Sequence, residues 1–266
     1  SHESAGTTDE GGNEVKALFD GKAVFDFPKP TKLIRKLLGI FVPPSSDWSK
    51  DMIVLDFFAG SSSTAHAVLA QNAEDGGSRR FIMVQLPEAT PAGSIARAEG
   101  FSDIAQLSRE RIRRAVAEIT VHVADEDEAS DVQDVGFRTL RVDTTNLADS
   151  FAVPDALRQG DLLAAIESVK PDRTGDDLLF QVLIDWGLDL TLPIERDVER
   201  GLLRVDDDSL VACFSHEVTS ETVSYVANLR PLRAVFLDAG FATDAARINA
   251  EQIFREVSPE TEVRTI

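Results

Sequence analysis

The chain has 266 residues, 43% of them hydrophobic, which suits a soluble globular protein with one large or two modest domains. Its apolar runs, such as Met52 to Leu55, are too short to span a bilayer, and the polar first 14 residues lack the apolar core of a signal peptide. Cys213 is the only cysteine, which excludes an internal disulfide and a cysteine-based zinc cluster. These features predict a protein of a reducing cytoplasm without a membrane segment.

The charge balance is strongly acidic, with 46 Asp and Glu residues against 27 Lys and Arg and a formal net charge of −19. Taken alone, this acidity disfavours binding to a phosphate backbone. The basic residues are 7 Lys and 20 Arg, and a surface poor in Lys and rich in acids is typical of proteins that work in concentrated salt. We therefore hypothesise a halophilic source. The alternative is a mesophilic protein with an acidic surface.

Hydrophobic periodicity predicts a β-α-β unit in the first half of the chain, with a further helix on either side. The strand at Met52 to Phe58 is a continuous apolar run interrupted only by Asp56, which predicts burial on both faces of a parallel sheet. The predicted elements are a helix over residues 31–41, strands over 52–58 and 80–86, a turn over 60–64, and helices over 64–71 and 102–120.

The pattern after residue 136 predicts a second, smaller α/β domain. The acidic stretch Asp125 to Glu128 before it indicates a surface loop and a domain boundary. The predicted strands lie at residues 137–142, 201–205, 210–214, 234–238 and 262–266, and the predicted helices at 176–186, 219–228 and 243–257. Residues 1–14 are polar and rich in glycine, which predicts a disordered arm.

The strongest chemical signal is the passage from the first strand into its helix. Asp56 ends the strand, and a run of small residues up to Thr64 opens the helix. Small side chains allow a sharp turn and a close approach of a ligand to backbone amides, and a helix N-terminus favours a carboxylate or a phosphate. The spacing fits neither the dinucleotide fingerprint nor the P-loop. The alternative is a turn whose small residues serve packing alone.

Four segments in combination resemble one family. They are FDFPKPTKLI at residues 25–34, VLDFFAGSSST at 54–64, DGGSRRFIMVQLPE at 75–88 and the helix IAQLSRERIRRAVAEI at 104–119. Together they are similar to the C-terminal half of the modification subunit of type III restriction–modification systems, a β-class adenine DNA methyltransferase. Four later segments also resemble the end of that subunit: GFRTLRVD, TTNLADSF, DLLFQVLIDWGLDL and DAARINAEQIF.

This resemblance implies an α/β fold, with part of a Rossmann-like, S-adenosylmethionine-dependent methyltransferase sheet followed by a smaller α/β C-terminal domain. The implied domains are a disordered arm (1–14), a cofactor-binding part (15–124), an acidic linker with a connecting strand (125–144) and the C-terminal domain (145–266).

The resemblance also assigns the S-adenosylmethionine site. The family's PKP loop packs over the methionine part of the cofactor, its small-residue turn cradles the cofactor, and the end of the next strand approaches the ribose or adenine. In this sequence the corresponding residues are Pro28, Lys29 and Pro30 in the loop; Asp56, Phe57, Phe58, Ala59, Gly60, Ser61, Ser62 and Thr64 in the turn; and Gln85 at the strand end. Ser62 departs from a family glycine, so its Cβ is expected to weaken cofactor binding or shift the turn. Ser63 replaces threonine, a milder change.

A second departure concerns catalysis. The family's catalytic [D/N/S]-P-P-[Y/F/W] loop precedes the PKP loop, holds the target amine and stacks on the flipped base. Val42-Pro43-Pro44-Ser45 lacks both the polar first residue and the aromatic, and it follows the PKP loop. The sequence therefore provides no catalytic residue, and the chain is expected to be inactive alone. Either it is a fragment of a longer product or a partner chain supplies the catalytic half.

The resemblance implies several partners: DNA through the intact enzyme, a restriction helicase–nuclease subunit, and a second copy in a homodimer. Two other functions stay open. One is a nucleotide-dependent dehydrogenase, which the absent fingerprint glycines disfavour. The other is an assembly module that holds a restriction subunit through residues 145–266 without catalysis.

Three groups outside the turn were weighed for function. Arg109, Arg111, Arg113 and Arg114 crowd one helix and suggest either phosphate contacts or, as we favour, a solvated face balanced by acids. His66 is expected to be packed or solvated rather than catalytic, and Arg79 is expected to pair with a nearby acid.

The halophile hypothesis makes a measurable prediction. We expect the free energy of unfolding to rise when KCl is increased from about 0.1 M to about 3 M, because salt screens the repulsion between surface carboxylates. Circular dichroism during a salt titration measures this. A chain that is fully folded and equally stable at low ionic strength contradicts the hypothesis.

Overall fold

A computed structural model describes residues 6–41, 50–125, 134–147 and 169–266. The chain divides into two compact units, Ser1–Thr139 and Leu140–Ile266. The division falls inside the predicted linker at 125–144, whose acidic residues 126–133 lie outside the described ranges. No helix in the described ranges is long and apolar enough to cross a membrane.

The first unit is built from helices around a short parallel sheet. Its described elements in chain order are α1 (Thr8–Leu18), α2 (Thr31–Phe41), β1 (Ile53–Asp56), α3 (Ser63–Asp75), β2 (Arg80–Met83), α4 (Ile95–Ala98) and α5 (Ile104–Asp125). β1 and β2 pair in parallel with Ile53 opposite Arg80 and Asp56 opposite Met83, so α3 is the crossover of the predicted β-α-β unit. A mixed α/β fold is confirmed. The Rossmann-like arrangement of a larger sheet stays a prediction.

Helix α1 corrects the prediction that residues 1–14 form a disordered arm, which was wrong from Thr8 onward. A capping box begins the helix. The backbone amide of Glu10 donates a hydrogen bond to the hydroxyl of Thr7, and the backbone amide of Thr7 donates one to the Glu10 carboxylate. Val15 and Phe19 then pack into a cluster with Val24, Ala96 and Leu107. The apolar contacts lie at the end of the helix, so the polar composition of residues 1–14 concealed it. Residues 1–5 lie outside the described ranges.

The sheet of the first unit is covered on one face in the described part of the chain. Phe81 and Met83 of β2 pack against α3 and α5 around Ala65, Leu69 and Ile112. The alternate residues point the other way and are about half exposed, namely Ile53, Leu55 and Ile82. The prediction that the first strand is buried on both faces was therefore wrong in these ranges, because helices cover one side alone. The two strands are also shorter than predicted.

The second unit contains a five-stranded mixed sheet in the order β3-β4-β5-β6-β7. Its described elements are α6 (Gly175–Asp185), β3 (Ile194–Asp197), β4 (Leu202–Val205), β5 (Leu210–Cys213), α7 (Ser220–Leu229), β6 (Arg233–Phe236), α8 (Asp244–Val257) and β7 (Glu262–Thr265). The pairs β3–β4 and β4–β5 are antiparallel, whereas β5–β6 and β6–β7 are parallel. Seven of these eight elements were predicted within a few residues; the short edge strand β3 was not.

Both faces of this second sheet are buried. Alternate residues of β4, β5 and β6, such as Leu202 and Phe236, pack against α7 and α8. The intervening residues, such as Leu203 and Val235, pack against α6. Because side chains alternate along a strand, continuous apolar runs fill both layers.

The predicted strand at residues 137–142 is not present. Residues 134–143 are described but form no regular element, and Val142 is fully exposed. Phe137 is held by side-chain contacts instead: it packs near Ile112 of α5, with the guanidinium of Arg113 over its ring at 5.9 Å. Apolar residues in alternation need a neighbouring strand to form a sheet, and the described residues offer none here.

The aromatic core of the second unit yields a stability prediction. Phe236 is fully buried, and its ring contacts Phe241 and Phe254 at centroid distances of 5.8 and 5.9 Å. We expect Phe236→Ala to lower the free energy of unfolding by about 3–5 kcal/mol, because burial is lost and a cavity remains. Urea unfolding followed by circular dichroism measures it. The matched control Val198→Ala, at an exposed position, is expected to change stability by less than about 0.5 kcal/mol. Equal effects of the two changes would contradict the described packing.

Candidate cofactor site

The turn between β1 and α3 is closed by the carboxylate of Asp56. One oxygen, Oδ1, accepts a hydrogen bond of 3.0 Å from the backbone amide of Phe58. The other, Oδ2, accepts a hydrogen bond of 2.7 Å from the hydroxyl of Thr64. A single side chain at the end of the strand thus holds both the start of the turn and the first turn of α3. The side chains of Ala59 and Thr64 are buried.

The end of β2 supports the same turn from the side. The amide of Ala59 donates to the carbonyl of Val84 at 3.1 Å, and the amide of Gly60 donates to Oε1 of Gln85 at 2.7 Å. Gln85 was expected to reach the ribose or adenine. In this structure its amide group instead contacts protein backbone, since Nε2 donates to the carbonyl of Leu86 at 3.1 Å. Its role toward a ligand stays a prediction.

Ser62 adopts the left-handed conformation that usually favours glycine, with φ 56° and ψ 36°. Its side chain is 1% exposed and points away from solvent, toward α5. The hydroxyls of Ser62 and Ser108 lie 2.7 Å apart, and the Ser108 hydroxyl donates to the carbonyl of Gly60 at 2.7 Å. Each hydroxyl has one proton, so Ser62 donates to Ser108. The left-handed backbone costs about 1–2 kcal/mol, and these two buried hydrogen bonds offset it.

Arg111 of α5 lies directly beneath the turn, with 1% of its side chain exposed. Its Nη1 donates to the hydroxyls of Ser61 and Ser63, both at 2.7 Å. Burial lowers the pKa of Arg111 to about 10, although the charge of Glu14 opposes the shift. Arg111 therefore stays cationic at neutral pH.

The interpretation of the four arginines as a solvated face was wrong for Arg111, though it agrees with Arg113, whose side chain is 58% exposed. A signal for this burial exists in the sequence. Arg111 lies four residues after Leu107 and four before Ala115, so all three share one stripe of the helix, and all three are buried.

The PKP loop is held by helix α1. Pro28 and Pro30 are buried and Lys29 is exposed. The backbone of α1 lies against the loop at Gly11, where an added Cβ would come within 2.2 Å of the Pro28 carbonyl oxygen. Only glycine fits this contact. Directly after the loop, the amide and the hydroxyl of Thr31 each donate to the carboxylate of Glu14 at 3.0 Å.

Three aromatic residues of the two segments face solvent, whereas Phe25 packs against the cluster of Val15 and Phe19. Phe57 and Phe58 in the turn are 64% and 87% exposed, and Phe27 before the PKP loop is 80% exposed. The predicted site residues therefore divide into two groups: polar side chains tied into the protein beneath the turn, and aromatic rings on its open side. A cavity of about 200 Å³ elsewhere, between α8 and β7, is smaller than usual ligand pockets of about 300–1,000 Å³.

His66 and Arg79 behave as packed side chains. Nδ1 of His66 is buried without a hydrogen-bond partner in the described ranges, and burial, aided by the charge of Arg111, lowers its pKa to about 4. The imidazole is thus neutral at pH 7, and in the described part of the chain its Nδ1 forms no hydrogen bond to an acid or a base that would make a catalytic pair. Arg79 pairs with Asp75 at 2.8 Å, which confirms the expected ion pair.

Comparison with known proteins finds a match within the first unit. Residues 4–90, which include the PKP loop, the turn and Gln85, match a family model described as DNA methylase. The chain is 42% identical over 135 residues to the StyLTI Mod subunit of a type III restriction–modification enzyme from Salmonella typhimurium, a match that covers 51% of this chain and 19% of that subunit.

Two further relatives agree. The EcoPI Mod subunit of Escherichia phage P1, another type III enzyme, is 37% identical over 107 residues, which cover 40% of this chain and 16% of that subunit. The type II methyltransferase M.KpnI of Klebsiella pneumoniae is 34% identical over 111 residues, which cover 42% of this chain and 25% of that enzyme. The chain thus spans a quarter or less of the length of these relatives. Residues 4–90 thus match the DNA methylase family model, and the chain is similar to a portion of type III Mod subunits.

Proposed function

We propose that residues 15–124 bind S-adenosylmethionine, and that the intact enzyme transfers its methyl group to N6 of adenine in DNA within a restriction–modification system. The observation that carries the proposal is the turn from Asp56 to Thr64, which is fixed at both ends and lies inside the matched methylase region. S-Adenosylmethionine supplies the activated methyl group when bound, so the protein's task is to hold and orient the reactants.

The residues present fit this cofactor. The N-terminus of α3 presents backbone amides and a partial positive charge, which suits the carboxylate of the methionine part. Gly60 has φ +52°, and a Cβ added there would lie 3.4 Å from the ring of Phe25. The Ser62 side chain lies on the inner side, toward Ser108, so it does not obstruct a ligand at the outer side of the turn. We propose that Ser62 in place of glycine is therefore compatible with binding.

The exposed rings have a separate role in the proposal. Phe57 and Phe58 offer apolar faces of the kind on which an adenine ring stacks. The buried prolines of the PKP loop give Lys29 a fixed backbone beside the cofactor site. The carboxylate of Asp56 acts by closing the turn, since both its oxygens are engaged within the protein.

The second half of the reaction needs residues from elsewhere. The 266-residue sequence contains no [D/N/S]-P-P-[Y/F/W] motif to hold the target amine, and the nearest candidate, residues 42–45, lies outside the described ranges. We propose that another chain, or another part of the same gene product, supplies this catalytic half. The present chain is then inactive alone and acts on DNA only in the complete enzyme.

The second unit supports a proposal about assembly. Its sheet is buried on both faces by its own helices, so it forms a core without the methylase residues. We propose that this unit contacts a restriction subunit or a second copy of the chain. If the first unit binds no cofactor, assembly becomes the chain's main function.

Calorimetric titration of S-adenosylmethionine into the chain, at low salt and at about 2 M KCl, tests the proposal. We expect saturable binding, and we expect Asp56→Ala to weaken it by at least about tenfold, because two hydrogen bonds to a carboxylate are worth about 1.5–3 kcal/mol each. Asp51→Ala is the matched control, since Asp51 is exposed just before β1. It is expected to leave binding unchanged.

The outcomes separate the two functions. Binding by the wild type and the control, with weak binding by Asp56→Ala, supports the methyltransferase proposal. Absence of binding at both salt concentrations, with circular dichroism showing a folded chain, contradicts a cofactor site in this chain and favours the assembly function. Methyl transfer to DNA by the chain alone would contradict the proposed inactivity.

A further inference from the structure

Arg111 joins the two segments proposed to bind the cofactor, although it belongs to neither. Its Nη1 donates to the hydroxyls of Ser61 and Ser63 in the turn, and its Nη2 lies 3.5 Å from a carboxylate oxygen of Glu14. That carboxylate accepts both the amide and the hydroxyl of Thr31, the residue that follows the PKP loop. A continuous chain of polar contacts therefore runs from the turn to the loop, and we name it the Arg111 bridge.

Desolvation makes an arginine energetically unfavourable at this buried position. A buried guanidinium carries a large desolvation penalty unless it is fully paired. Here the Glu14 contact is long, and Nε of Arg111 has no hydrogen-bond partner in the described ranges. The neighbours along the same helix stripe, Leu107 and Ala115, are apolar. An apolar side chain would stabilise such a position at least as well, so stability alone does not account for an arginine.

The geometry of the bridge explains what the arginine adds. A guanidinium is planar and presents several donors in fixed directions, so it can bind the turn with one nitrogen and Glu14 with the other. The turn follows a strand of the sheet, whereas the loop is held on α1, and these elements are far apart in sequence. Arg111 contacts both the turn and Glu14, the partner of Thr31.

We propose that Arg111 is a positioning residue, linked through Glu14, that fixes the PKP loop and the small-residue turn in one relative placement before a ligand arrives. This inference rests on the proposed function of the two segments. Ordering them in the free protein lowers the entropy cost of binding, because neither segment has to be immobilised when the ligand enters. Arg111 touches no ligand in this arrangement and is not a catalytic residue.

Amide hydrogen exchange in the cofactor-free chain tests the bridge directly. Three amides report on it: Gly60 and Ser62 in the turn, which donate to Gln85 and Ala59, and Thr31 after the loop, which donates to Glu14. We expect Glu14→Gln to speed exchange at Gly60 and Ser62 by about tenfold, although the contacts of Glu14 are with Thr31 and Arg111 and not with these two residues. The expected change is transmitted by Arg111, whose placement the Glu14 charge supports.

The Arg111 variants complete a double-mutant cycle. Arg111→Met keeps apolar volume and removes both sets of contacts, so exchange is expected to rise at Thr31 as well as in the turn. Adding Glu14→Gln to Arg111→Met is expected to cause no further change in the turn, because the link is already absent. Arg113→Met is the matched control on the exposed side of α5 and is expected to leave all three amides unchanged.

A purely structural role gives a different pattern. It would lower the melting temperature and speed exchange throughout α3 and α5, with additive effects of the two changes, and this pattern overturns the proposal. Unchanged exchange in the turn of Glu14→Gln overturns it too, and this variant keeps the test valid if Arg111→Met does not fold.

S-Adenosylmethionine titration of the same variants is a separate readout. If the wild type binds, Glu14→Gln is expected to raise Kd by about tenfold with little change in melting temperature. The chain could show the expected faster exchange at Gly60 and Ser62 in Glu14→Gln and yet not bind S-adenosylmethionine. That result would contradict the proposed function and leave the bridge supported.

Discussion

The carboxylate of Asp56 is the contact on which the arrangement of the first unit depends. It lies at the end of β1, where the chain leaves the sheet, and its two oxygens hold Phe58 and Thr64. The other contacts of the turn come from the end of β2 and from α5, whereas Asp56 alone ties the end of β1 to the first turn of α3. With it, the turn has one defined path, and α5 can pack its polar side chains beneath that path.

Serine at position 62 shows how a local strain is accommodated. The sequence predicts a conflict, because a left-handed position and a close ligand both favour glycine. In the structure the Ser62 side chain points into the space between the turn and α5. There the Ser108 hydroxyl accepts a hydrogen bond from Ser62 and donates one to the Gly60 carbonyl. The substitution thus adds a buried contact on the inner side and leaves the outer side open. Ser61 and Ser63 use the same inner side for Arg111.

The sequence predicted most elements because their signals are local. The strand from Leu210 and the helix ending at Val257 have strong periodicity, and the structure confirms both. The errors arose where tertiary contacts decide. Helix α1 depends on a cap and on packing at its far end, and Phe137 belongs to a segment with no strand beside it. The segments of the site were recognisable as motifs. The burial of Arg111 was not predicted, because its position on the apolar stripe of α5 indicates burial whereas its charge indicates exposure.

The two sheets differ in a way that bears on what the chain can do. In the second unit, alternate residues of each central strand are buried on opposite faces. In the first unit, alternate residues of β1 and β2 are half exposed, so in the described ranges one apolar face of a parallel sheet has no cover. Parallel sheets are ordinarily covered on both faces, and a two-stranded one is too small to stand alone. In the described ranges, the first unit therefore leaves one apolar face of its sheet uncovered, whereas the sheet of the second unit is buried on both faces.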